Sequence, residues 1–298
     1  MGGPPISRWA GIALLLGLAV IFGSNHVAAR IAFEHGTNVT TAVAFRSTGT
    51  ALFVFVLLSL NRISLRVPAP TLGRSVLIGL LLAVQSYCLY SAVARIPVAL
   101  ALLAFQTFPM LLSLISWLAG GDTPSRRVRI AMPVALAGLA LALDAVGSGR
   151  HFAGRWDEIG AGVLWSCGAS LSFALVLFLT TRWQAAMDGR LRTFFSMSVV
   201  GAVTIAGGAA SGSLVPPADG TGWIALVLLT AFYGTAITCM FVVLPRLGAV
   251  NNAAVLNFEP IAVLGIAWVV LGQAVAPLQI LVAFVVVGAI MWMGAEKR

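Results

Sequence analysis

Ten apolar runs, each near 20 residues, take up most of this chain. They lie at about 9–31, 39–60, 74–94, 98–119, 129–146, 158–180, 192–211, 222–244, 249–271 and 276–294. A helix rising about 1.5 Å per residue crosses about 30 Å of hydrocarbon in that length. Lipid offers the backbone no hydrogen bonds, so each N–H and C=O must be paired within its own segment, and each run is expected to be a helix. The composition agrees: 60% of the 298 residues are hydrophobic, 9% are charged, and the mean hydropathy is +1.01. The expected fold is an all-α integral membrane protein with ten transmembrane helices. Pro68 and Pro70, the turn at 120–124, Pro216-Pro217 and Pro277 punctuate the runs. The longest loop candidate, about 147–157, falls near the middle of the chain.

Basic residues between the runs set an orientation, because cytoplasmic loops collect Lys and Arg. With a cytoplasmic N-terminus, 13 Lys and Arg fall inside, from Arg8 to Lys297 and Arg298. The outside receives 3: Arg95, Arg150 and Arg155. Arg30 and Arg46 fall near or within spans. Both termini are therefore expected in the cytoplasm. Basic residues confined to short caps explain the net charge of +9 without a nucleic-acid partner.

Residues Arg95–Asp122 are echoed 151 positions later by Arg246–Gln273. Arg95 falls on Arg246, Pro109 on Pro260, Ile115 on Ile266, Trp117 on Trp268 and Gly121 on Gly272, while Gln106 falls on Asn257. The residue types carry the argument: an arginine at the mouth, a proline near mid-membrane, then a tryptophan and a glycine. The expected organisation is a first five-helix repeat at 1–147, a connecting loop at 148–157 and a second five-helix repeat at 158–298. An odd number of spans per half inverts the second repeat relative to the first. Two such halves can form mirror-related shapes around a midplane site, which is the geometry of alternating access.

The chain resembles the drug/metabolite transporter superfamily, in its ten-helix EamA-type branch. The resemblance rests on Phe22-Gly23-Ser24-Asn25, Phe45-Arg46, Pro97-Val98-Ala99-Leu100-Ala101, Phe108-Pro109 with Gly121-Asp122, and Glu259-Pro260 with Gly272-Gln273. It covers essentially the whole chain. Within the branch the chain looks most like bacterial amino-acid exporters, including those for aromatic amino acids. The resemblance implies a multi-pass protein of the bacterial inner membrane that exports small metabolites. Family members commonly close spans 4 and 9 with Gly-Glu. Here those positions hold Asp122 and Gln273, which puts a charge-dependent role at Gln273 in doubt.

Polar groups at membrane depth need a partner or a cavity. Ser24, Asn25 and His26 in span 1 are candidates for hydrogen bonding an amino-acid head group. The alternative is that Asn25 bonds a neighbouring helix and His26 packs neutral. Gln85, Gln106 and Asn257 are mid-depth amides, either cavity lining or interhelical glue. Glu259 is the only carboxylate near the middle of a span, able to bind an amine, carry a proton or pair with Arg46. Trp165, Phe173, Tyr87, Tyr90 and Tyr233 lie deep in the spans, and of these Trp165 and Tyr233 are assigned to the cavity wall. Pro109 and Pro260 each remove a backbone hydrogen bond and are expected to kink their helices, as static bends or as hinges.

Other function classes find little support. An intramembrane enzyme needs paired aspartates, a Ser/His pair or a metal cluster, and neither H-E-x-x-H nor G-x-x-x-x-G-K occurs. No cofactor or metal is expected. Cys88, Cys167 and Cys239 sit within apolar runs and read as thiols. A channel would draw its filter from several subunits, whereas a repeat within one chain favours a carrier acting as a monomer. Amides, hydroxyls and aromatics suit small neutral or zwitterionic solutes, amino acids foremost. Proton-coupled export of drugs or other metabolites is the alternative.

Overall fold

The computed structural model describes residues 8–121, 152–247, 258–273 and 277–294, with isolated positions between 123 and 141. The helices are α1 (Arg8–Glu34), α2 (Val39–Leu60), α3 (Ala69–Val93), α4 (Val98–Phe105), α5 (Phe108–Leu118), α6 (Phe152–Trp183), α7 (Gly189–Ala210), α8 (Gly220–Leu247), α9 (Glu259–Leu271) and α10 (Pro277–Gly294). Isolated helical positions from 126 to 141 mark the fifth apolar run. Among the described residues no strand occurs, and seven helices are long and apolar enough to cross a membrane.

Helix ends follow local chemistry. The Asn38 side chain accepts from the Thr41 N–H at 2.9 Å and starts α2. Asp188 does the same for α7, accepting from the Arg190 N–H at 2.8 Å. Gly272 takes φ +62°, the left-handed conformation that closes α9. Two expectations change. The supposed loop at 147–157 is already helical from Phe152, where α6 begins, and its earlier residues lie outside the described set. The fourth run is two helices, because the chain turns at Gln106 and Thr107 before Pro109.

Packing runs between the halves more than within them. Helix α1 packs on α8, α3 on α6, and α2 on α7. Exchanging the halves turns the first of these pairs into the second and leaves the third unchanged. The same exchange relates α1·α9 to α4 and α5 on α6, and α3·α7 to α2·α8. Close approach is built from glycine: a Cβ on Gly23 would stand 2.7 Å from Val263 Cγ2, and one on Gly79 2.6 Å from Val199 Cβ. Small residues are what permit helix backbones to meet in lipid, where apolar side chains gain nothing by leaving their solvent.

One end of the bundle is clasped by polar bonds between the halves. His35 Nδ1 lies 2.7 Å from Asp219 Oδ2, and the Ala218 N–H donates to the His35 carbonyl at 2.9 Å. The Val215 N–H donates to Thr41 Oγ1 at 2.8 Å, and Asn38 Nδ2 donates to the Ser213 carbonyl. These bonds join the α1–α2 turn to the α7–α8 loop.

Candidate functional site

Below the clasp, α1, α2, α3, α8 and α9 bring polar groups together. Arg46 leads from α2, about 10 Å along the helix from its first residue. It is 5% exposed. Its guanidinium carbon stands 4.1 Å from the Tyr233 ring centre and 5.0 Å from that of Tyr90, so the charge lies between two aromatic faces. Nη2 donates to Ser86 Oγ at 2.9 Å, and Nε has no partner. Ser86 in turn donates to Gln85 Oε1 at 3.3 Å.

Tyr90 is fully buried and ties this group to α1: its hydroxyl donates to Asn25 Oδ1 at 2.7 Å, while Asn25 Nδ2 donates to the Phe22 carbonyl at 3.2 Å. The next residue, His26, places Nε2 3.2 Å from Glu259 Oε1, and its Nδ1 is buried without a partner. Glu259 is the first residue of α9, so the positive end of that helix dipole also faces the cluster. Glu259 therefore pairs with His26 rather than with Arg46, and no carboxylate among the described residues lies within ion-pair distance of Arg46.

Energetics explain how Arg46 can sit there with no counter-ion among the described residues. An arginine at mid-membrane costs about 2.5–3.5 kcal/mol on the insertion scale. Each aromatic face returns about 0.5–2 kcal/mol, and a hydrogen bond to a charged group about 1.5–3 kcal/mol. The two sides come out comparable. The charge is tolerated without a carboxylate partner, leaving Nε unpartnered.

The expected site residues divide. Asn25, His26, Gln85, Tyr233 and Glu259 belong to this cluster. Ser24 instead bonds the Val20 carbonyl of its own helix at 2.9 Å. Trp165 stacks near Tyr87, ring centres 5.9 Å apart, with Arg95 5.7 Å from its centre; it belongs to a separate aromatic group. Gln106 is buried as the last cap of α4. Asn257 lies outside the described residues. Pro109 follows the turn that ends α4 rather than kinking one continuous helix, and Pro260 lies at the start of α9. Each sits in the first turn of its helix, a position that tolerates proline, although at Pro109 the Phe105 carbonyl then needs another donor.

Broken helices at mid-membrane need their freed backbone groups answered. In span 4 the answer is on α6. Ser170 Oγ donates to the Phe105 carbonyl at 2.6 Å, and Ser166 Oγ to the Ala101 carbonyl at 3.1 Å. Thr107 Oγ1 stands 2.7 Å from Ser170 Oγ and completes the knot. Around it, Phe105, Phe108 and Phe173 pack ring against ring at 4.9–5.4 Å.

Two stretches, residues 9–143 and 160–295, each match the model of the EamA-like transporter family. The chain belongs to the EamA-like transporter family. Its two matches divide the chain at the same place as the internal echo, and the family is one of membrane transporters within the drug/metabolite transporter superfamily. A crystal structure described only as that of a protein shares the fold: TM-score 0.61, 18% identity, covering 96% of this chain and 98% of the other. No curated protein matches the chain.

For an EamA-like transporter, the residue that sequence reasoning left out of the site is Arg46. Its signal is present, an arginine early in an apolar run, but the sequence equally offers it to Glu259 as a structural partner. Of the two residues that hold it, Tyr90 is one of the five aromatics deep in the spans, and Ser86 carries no signal apart from the fold. The cavity of about 430 Å³ between α2 and α7 is lined by apolar groups such as Ala44, Phe45, Ile205 and Leu214, and none of the cluster lines it. It faces lipid chemistry rather than a polar cargo.

Proposed function

We propose that this protein exports amino acids, aromatic ones included, and related small metabolites from the cytoplasm by alternating access around a midplane cavity, acting as a monomer in the bacterial inner membrane. The observation that carries the reading is the meeting of polar side chains from both repeats at one place. Arg46, Ser86, Tyr90, Asn25 and His26 come from the first half, Tyr233 and Glu259 from the second. A site built across the two halves is remade when they rock against each other. Pro109, just past the turn at Gln106 and Thr107, and Pro260, in the first turn of α9, are the proposed hinges, because element ends absorb changes in φ and ψ.

The test is counterflow of labelled amino acids, aromatic and aliphatic, into liposomes holding the purified protein with no ion gradient. Accelerated exchange supports the reading. Silence for every amino acid, with signal only for another solute class, rejects it. A second reading, proton-coupled export, draws on the His26–Glu259 pair, an ionisable pair between the halves that a proton would uncouple. Export unaffected by an imposed pH gradient would remove it.

A further inference from the structure

We propose that Arg46 holds the carboxylate of the cargo and that this protein selects for the carboxylate rather than for the amino group. The inference deepens the reading of the cluster as the transport site and rests on it.

The two ends of an amino acid do not meet equal partners here. An ammonium group would look to Glu259, but that carboxylate is already engaged by His26 at 3.2 Å. A carboxylate would look to Arg46, which no carboxylate among the described residues pairs with. Nη2 donates to a neutral hydroxyl, and the Nε–H is buried without an acceptor. The rings of Tyr90 and Tyr233 lie 5.0 and 4.1 Å from the guanidinium carbon and hold the charge by their faces, without an anion. What remains is the edge of the fork, whose N–H groups match the two oxygens of a carboxylate.

The scaffold holds that edge in place. Ser86 fixes one nitrogen, and Tyr90 is itself fixed through Asn25. Enclosure by the helices strengthens a charge-assisted pair relative to one in water. A cargo lacking the carboxylate leaves a buried cation's donors unanswered. A site built to hydrogen bond one group rejects analogues without it far more strongly than it discriminates by size. The cargo class is therefore organic carboxylates with apolar or aromatic side chains, with the amino group optional.

The experiment is the thermal unfolding of the purified full-length protein in detergent with phenylalanine, 3-phenylpropionate, phenethylamine or phenylalaninamide, on wild type, Arg46→Lys and Arg46→Gln. Both carboxylates should raise the midpoint, the amine and the amide should not, and Arg46→Gln should abolish the response. In wild-type liposomes preloaded with phenylalanine, 3-phenylpropionate should compete at least about ten times better than phenethylamine. Equal stabilisation by phenethylamine, a carboxylate response that survives in Arg46→Gln, or no response to any carboxylate would overturn the proposal. The competitor series on wild type decides the question even where an Arg46 variant fails to fold. Failure of the transport reading looks different: Arg46-dependent carboxylate binding with no amino-acid exchange.

Discussion

The Ser170 hydroxyl donates to the Phe105 carbonyl across 2.6 Å and supplies the bond that Pro109, four residues on, has no N–H to make. A helix of one half thus repairs the break in a helix of the other. Ser170→Ala should lower stability by about 1 kcal/mol, the range of interhelical hydrogen bonds in membranes. Pro109→Ala restores an N–H that can reach the same carbonyl, so the cost of losing Ser170 should shrink in that background. Thermal unfolding of both single variants and the double variant measures the coupling. Strict additivity would mean that Ser170 does not stand in for the proline.

His26 and Glu259 tie α1 to α9 by a pair that is largely removed from water. Deleting one partner leaves the other buried alone. Buried pairs lose about 3–5 kcal/mol on such a change, and the partial exposure of Glu259 brings the expectation for His26→Ala to about 2 kcal/mol. The double variant His26→Ala with Glu259→Gln should recover part of that loss, since no charge is then stranded. A double variant as unstable as the sum of the two singles would assign the loss to packing.

Seven of the apolar runs are helices long enough to cross a membrane among the described residues, and they were readable because lipid imposes one length and one backbone solution on every crossing segment. Membership of the cluster was only partly readable. The spans are apolar on all sides, so helical phase could not say that Asn25 and His26 face Tyr90 and Glu259 while Ser24 turns back on its own helix. Trp165 shows the same limit, lying against Tyr87 and Arg95 instead of the cluster. The prolines were legible as breaks in hydrogen bonding, but whether a proline kinks a helix or begins one depends on the turn before it. In span 4 that turn falls at Gln106 and Thr107.

Gly79 and Gly73 lie on one helix and predict opposite outcomes. A methyl at Gly79 meets Val199 Cβ at 2.6 Å, and a β-branched side chain has little rotamer freedom to yield. A methyl at Gly73 meets nothing within 4 Å. Gly79→Ala should destabilise by about 1–3 kcal/mol through overpacking between α3 and α7. Gly73→Ala should not lower the unfolding midpoint. Equal effects would mean that the α3–α7 approach is looser than described.

The clasp at Asp219 carries a pH dependence with a definite sign. The Gly222 backbone N–H, followed by the His35 side chain, holds the Asp219 carboxyl below its ordinary range. A depressed carboxylate contributes stability that is complete above its unfolded pKa, about 3.9, and is lost as pH falls through its folded value. Asp219→Asn keeps an oxygen for the Gly222 N–H and removes the charge facing His35. The unfolding midpoint of wild type minus that of the variant should therefore be positive at pH 6 and should shrink towards pH 3. The variant alone should lack that segment of the acid dependence. A difference that stays constant between those two pH values would show that the ionised carboxylate contributes nothing to the clasp.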